Sequence, residues 1–157
     1  MTPKQIDLVQ TTFKDVAAIK EQAAALFYDR LFEIDPGTRA LFKGDMKEQG
    51  RKLMATIGVA VASLRNLEAV LPTVRKLAEK HVDYGVQESH YQTVGAALLW
   101  TLEKGLGSKF TPEVKEAWTA VYGALAGVMI DAAREKPMKD ELLLLFARAF
   151  AQRNDFA

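Results

Sequence analysis

Apolar residues recur three and four positions apart along nearly the whole chain, and this period settles the fold class before any other feature is weighed. Strand-like alternation is hard to find, so the chain reads as all-α. Thr2 and Pro3 form a cap and first-turn pair for a helix running toward Ile19. A second helix is expected over 21–34. Asp35-Pro36 opens a short third one ending near Phe42, and 43–47 is a loop containing Gly44. A long helix over 46–64 follows, then one over 71–82 with Pro72 in its first turn. Gly85 ends that helix and 87–104 forms the next. Gly105 and Gly107 mark a break, and Thr111-Pro112-Glu113 starts a helix reaching about 135. Pro137 is expected to interrupt it before a last helical stretch over 138–152. Seven or eight helices with short connections and no linker or internal repeat imply one domain over 1–157, with an additional C-terminal helical segment.

Length and composition narrow the class. A chain of 157 residues is long enough to bury a real core. Its formal net charge is +1, so there is no basic excess to neutralise phosphates, and nucleic-acid binding is not expected. Cysteine is absent, which removes disulfides, iron–sulfur ligation, cysteine zinc sites and thiol catalysis together. No basic start followed by an apolar run opens the chain, and no uncharged stretch reaches membrane-spanning length. Together these imply a cytoplasmic protein with no membrane partner.

Three polar groups fall on apolar faces. His81 shares a stripe with Val70, Val74, Leu77 and Ala78. Tyr28 lies among Ala24, Phe27, Leu31 and Phe32, and Gln49 begins a face continued by Leu53, Ile57 and Ala60. Each has an ordinary structural account. A lone inward histidine is more often a satisfied core group than a ligand, a tyrosine often packs its ring and lets its hydroxyl reach a carbonyl, and a helix-terminal glutamine can reach water. Taken together they describe a pocket with one imidazole and two hydrogen-bond donors, the composition of a haem site in a helical core.

The segments LFYDRLFEIDPGTRALF (26–42), QGRKLM (49–54), LAEKHVDYGV (77–86), SHYQTVG (89–95) and AWTAVYG (117–123) resemble a globin, in particular the single-domain bacterial haemoglobins and the globin domain of flavohaemoglobins. The resemblance runs from about residue 2 to 133 and implies the globin fold around haem b (iron protoporphyrin IX). It makes His81 the proximal iron ligand and Phe42 the phenylalanine stacked on the porphyrin. Tyr28 and Gln49 become the distal pair, and Leu53 the apolar residue facing bound gas. Leu77 becomes a haem-packing leucine one turn before the ligand, and Tyr91 a tyrosine on the proximal side. A bound O2 is partly anionic at its outer atom, so two donors at about 1 kcal/mol or more each would slow its release about 10- to 100-fold. No histidine stands at the distal position, which implies an open, five-coordinate ferrous iron. His90, the other histidine, reads as a surface or rim residue.

Two departures from flavohaemoglobins bear on function. Their glutamate that joins the proximal histidine to the tyrosine is replaced here by Ala133, while Asp131 and Glu135 project elsewhere. The chain also carries no GxGxxG or other nucleotide fingerprint. Both tilt the expectation toward reversible binding of O2, with NO and CO as further ligands, by a monomer or homodimer. The alternatives are a nitric oxide dioxygenase served by a separate reductase, and a gas-sensor or interaction globin. The apolar run at 142–146 with Phe150 is expected to pack on the domain or to form a dimer surface.

Overall fold

The computed structural model describes residues 1–83 and 85–155, with side chains described up to Arg134 apart from Tyr84. Among the described residues there is no strand, and the chain folds as six α-helices and three short 3-10 turns. These are α1 (Pro3–Ala18), α2 (Lys20–Ile34), α3 (Met46–Ala62), α4 (Leu67–Asp83), α5 (Glu88–Leu106) and α6 (Pro112–Asp155). The all-α reading holds. No single helix among the described residues is long and apolar enough to cross a membrane.

Local chemistry sets the helix ends. Thr2 caps α1 in a reciprocal capping box with Gln5. The Asp45 carboxylate accepts the Lys47 N–H and starts α3 at Met46, the residue the sequence points to. Three details differ from the sequence expectation. The segment after Asp35 is a 3-10 helix, Pro36–Leu41, rather than a full α-helical turn. Helix α4 begins at Leu67, so Pro72 lies in its second turn, not its first. The turn at 64–66 leads directly into α4 and extends it backward past the proline, whose missing N–H costs one helical hydrogen bond. Helix α6 continues through Pro137 where a break is expected. Flanking residues with good helix propensity (Ala, Arg, Glu, Lys, Met and Leu) allow the backbone to carry a proline without ending. Leu142, Leu143, Leu144, Leu145, Phe146 and Phe150, on which the dimer or packing expectation falls, lie outside the described side chains, as does Glu135.

The core has two parts. In the larger, Ile6, Val9 and Val16 of α1 and Ala23 and Ala24 of α2 meet Met54, Val61 and Leu102. Val114, Ala117, Trp118 and Val121 of α6 close it. A long-range polar link within it is buried and satisfied: the Trp118 indole donates to Thr12 Oγ1 at 2.9 Å, and that hydroxyl donates to the Leu8 carbonyl at 2.7 Å. The smaller cluster holds Phe27, Tyr28, Leu31 and Ala97, with Phe32, Phe42, Met46, Leu53, Val94 and Leu98 packed on it. Helix α2 serves both, presenting Ala23 and Ala24 to one and Phe27, Tyr28 and Leu31 to the other.

Helices α2 and α3 cross closely. A Cβ placed on buried Gly50 would stand 3.0 Å from Ala24 Cβ, an atom fixed to its own backbone. Gly50→Val should therefore destabilise the fold by roughly 1–3 kcal/mol through overpacking. Adding Ala24→Gly to the same chain should recover much of this. Chemical denaturation of both single variants and the pair measures the coupling, and simple additivity would sink the assignment of Gly50 to this crossing.

Candidate functional site

The residues singled out in the sequence fall on two walls. One is built by α2, α3 and the 3-10 turn at Pro36–Leu41, with α5 behind; the other is α4 lying along α6. The walls come together where Gly85 meets Leu41, whose Cδ2 would be 3.6 Å from a Cβ at that glycine. Gly85 has φ +87°, a left-handed conformation that a side chain resists and that stops α4. The turn also caps the helix: Gly85 N–H donates to the Val82 carbonyl at 3.0 Å and Val86 N–H to the His81 carbonyl at 2.9 Å. The backbone that carries His81 is thereby fixed.

The His81 ring is half-buried, and its Nδ1 lies 2.7 Å from the Leu77 carbonyl oxygen. A carbonyl only accepts, so Nδ1 carries the proton. In the neutral ring Nε2 then holds a lone pair, the form in which imidazole ligates a metal. Leu77 thus contributes its carbonyl as well as its half-buried side chain, a contribution that spacing alone does not reveal. Among the described residues no three His, Asp or Glu side chains converge to hold a bare ion. A metal bound at His81 would need its remaining ligands from a prosthetic group.

On the opposite wall Tyr28 is buried, with its ring edge-on to Phe42 at 5.1 Å and to Phe27 at 5.2 Å between centroids. Phe32 and Phe42 are likewise edge-on at 5.7 Å. Leu53 packs against this aromatic group. The Tyr28 hydroxyl donates to the backbone carbonyl of Gln49 at 3.2 Å. The Gln49 side chain does not turn toward it; its amide donates to the Lys43 carbonyl at 3.1 Å. The structure therefore gathers Tyr28, Phe42 and Leu53 into one cluster and leaves the Gln49 amide at its edge.

Tyr91, on α5, is half-buried. Its hydroxyl is buried and has no hydrogen-bond partner. Its carbonyl accepts from the Tyr122 hydroxyl. Tyr122 lies across Gly95, where an added Cβ would come within 2.6 Å of its ring. Neither Tyr122 nor Gly95 is singled out by the sequence, because their pairing spans two helices. At the start of α5 the Gln87 N–H donates to His90 Nδ1 at 2.9 Å, which makes His90 a helix-capping residue. Glu88 accepts from Arg134 Nη2 at 3.0 Å and so ties α5 to α6. Ala133 beside it offers no carboxylate.

A globin family model matches residues 25–129. The chain belongs to the globin family. This globin is 33% identical over 134 residues to a flavohemoprotein of Vibrio cholerae, covering 83% of the chain and 34% of that relative. It is 32% identical over 133 residues to one from Rhodopirellula baltica, covering 83% and 33%. The chain thus spans about a third of the length of these curated relatives. Among solved structures, a bacterial globin from Campylobacter jejuni superposes with a TM-score of 0.76 at 29% identity, covering 85% of this chain and 97% of that one. An engineered carbene transferase from Rhodothermus marinus, whose parent is named as a candidate nitric oxide dioxygenase, gives 0.80 at 25%, covering 88% and 96%.

Burial alone pushes the Tyr28 hydroxyl up to about 12 from its ordinary value near 10, and burial also raises Tyr91. A raised tyrosine favours the folded state fully below pH 10. That contribution is lost as the pH rises from about 10 through about 12. Ultraviolet titration of tyrosinate should show a late-ionising class that shrinks in Tyr28→Phe, together with a shallower fall in stability over this window. If Tyr28 ionises with the exposed tyrosines, its burial is wrong.

Proposed function

We propose that this globin binds haem and, at the haem, takes up O2 and related diatomic gases such as NO and CO reversibly. The observation that carries the reading is the His81–Leu77 hydrogen bond, because it leaves Nε2 as a neutral donor on a fixed helix end. Bound haem would supply an iron centre able to take a neutral nitrogen ligand and a diatomic gas. His81 is the proposed axial ligand, Phe42 the aromatic packed on the macrocycle, and Leu77 and Tyr91 its proximal neighbours. Iron protoporphyrin IX, haem b, fits a chain with no cysteine to attach the macrocycle covalently.

The distal residues would then act on the gas. Leu53, Phe27 and Phe42 exclude water and lower the local dielectric, which strengthens any hydrogen bond made there. Tyr28 is the buried donor. To serve a gas its hydroxyl must leave the Gln49 carbonyl, so one hydrogen bond is exchanged for another. A neutral bond is worth about 1 kcal/mol and one to a charged acceptor about 1.5–3 kcal/mol, so the net gain is near 1 kcal/mol. Gln49 joins as a second donor only by turning from Lys43. Retention of gas by Tyr28 alone should therefore be about fivefold to tenfold, at the lower end of the range for two converging donors.

Nitric oxide dioxygenation is the second reading, favoured by the similarity to flavohemoproteins and to the Rhodothermus protein. It requires a reductase, and a separate one is the proposed partner. Sustained consumption of NO with added reductase and NADH would support it; a single turnover would support binding alone.

Absorption spectra of ferric, reduced and air-exposed protein test the main reading. The expected result is a Soret band that shifts on reduction and then yields a stable oxygenated form. His81→Gly should lose haem or its five-coordinate ferrous spectrum and regain it with added imidazole. Tyr28→Phe should release O2 about fivefold to tenfold faster. No haem uptake after reconstitution would overturn the proposal.

A further inference from the structure

The two histidines of the chain hold one turn between them. Three successive amides lead from α4 into α5. Gly85 N–H donates to the Val82 carbonyl at 3.0 Å, Val86 N–H to the His81 carbonyl at 2.9 Å, and Gln87 N–H to His90 Nδ1 at 2.9 Å. Val86 and Gln87, neighbours in sequence, are therefore fastened to His81 on one helix and to His90 on the next.

The second fastening has unusual chemistry. Gln87 and His90 form a reciprocal capping box at the start of α5. The position of His90 in such a box is ordinarily filled by glutamate or glutamine, whose oxygen accepts the cap N–H. An imidazole accepts only through an unprotonated nitrogen. A proton on Nδ1 would set a donor against a donor and add positive charge at the positive end of the helix. His81 differs: its Nδ1 donates to the Leu77 carbonyl, a bond that a protonated ring still makes.

The neighbouring groups do not take over this role. Glu88 on α5 accepts from Arg134 of α6, whose guanidinium holds that carboxyl below its ordinary range, so Glu88 stays ionised and engaged. Asp131 of α6 acts on Arg134. Burial raises the Tyr91 and Tyr122 hydroxyls, which keeps both neutral. On the α4 side stands Asp83, the last residue of that helix.

We propose that His90 is a pH-sensitive latch on the turn that positions His81, closed while its Nδ1 is unprotonated and released on protonation. Histidine side chains change charge between about pH 5 and 8, so the latch opens on mild acidification. The latch itself needs no cofactor; its effect on an axial ligand rests on the haem reading above.

Amide hydrogen exchange of the full chain, referred to intrinsic rates, reads the latch at Val86 and Gln87. Protection there should fall about fivefold from about pH 8 to about pH 5, the weight of one net hydrogen bond. His90→Gln restores the ordinary capping oxygen, so protection should stay high at both pH values. His90→Leu should be low at both. Protection that does not change with pH in the unaltered chain, or a pH dependence that persists in His90→Gln, overturns the latch. These two proteins decide the matter even if His90→Leu does not fold. With haem added, the rate of haem loss from the ferric protein should rise more steeply on acidification in the unaltered chain than in His90→Gln. Equal slopes overturn the effect on His81 and leave the latch standing. Failure to take up haem leaves the exchange result intact, so the two readings fail separately.

Discussion

The close crossing of α2 and α3 is the constraint on which the site depends. With a Cβ at Gly50 the helices could not approach to this distance, because Ala24 Cβ already fills the space. Four residues further along α2 stands Tyr28, and one residue before Gly50 stands the carbonyl that accepts its hydroxyl. One turn along α3 from Gly50 comes Leu53, against the same aromatic group. The bare glycine at the crossing thus sets where Tyr28 and the apolar wall at Leu53 lie. Moving the crossing apart would disturb the Tyr28 hydrogen bond and the Leu53 packing together.

Much of this was legible in the sequence, and the part that was not has a common cause. Helical period places His81, Tyr28 and Leu53 inward, because it reports which face of its own helix a residue occupies. It does not report what a side chain meets on another element. So Tyr28 was readable as a buried donor, whereas its partner, a backbone carbonyl, was not. Gln49 was readable as a residue at the start of an apolar face, but its amide turns to Lys43 because that carbonyl is the nearer acceptor at the helix entrance. The Gly95–Tyr122 contact and the Glu88–Arg134 link both join elements distant in sequence. Helix limits were displaced where proline was given too much weight. At Pro72 the preceding turn carries the helix through, and at Pro137 the neighbours do.

The two tyrosines show how burial shapes a hydroxyl differently according to its partner. Tyr28 is desolvated but satisfied by a neutral acceptor, so it remains a proton donor across the physiological range. The Tyr91 hydroxyl is desolvated with no partner, a state that costs about 1–3 kcal/mol relative to a satisfied one. Such a group persists when the surrounding packing fixes it. Tyr91 is held by its own backbone, whose carbonyl takes the Tyr122 hydroxyl, and by the packing of Tyr122 over Gly95.

That arrangement bears on the proximal electronics. The proton on His81 Nδ1 points at the neutral carbonyl of Leu77. A carbonyl draws on that proton less strongly than a carboxylate would. A carboxylate on α6 is what would strengthen the pull, by way of a hydroxyl such as that of Tyr91. Ala133 supplies none, and the buried Tyr91 hydroxyl has no hydrogen-bond partner. Under the proposed haem reading, such a nitrogen would push less electron density onto the iron, which would favour holding a diatomic ligand over breaking its bond. In the proposed gas-binding reading, the His81 wall thus bears on binding more directly than the Tyr28 wall, where one exchangeable hydrogen bond would set how long a gas stays.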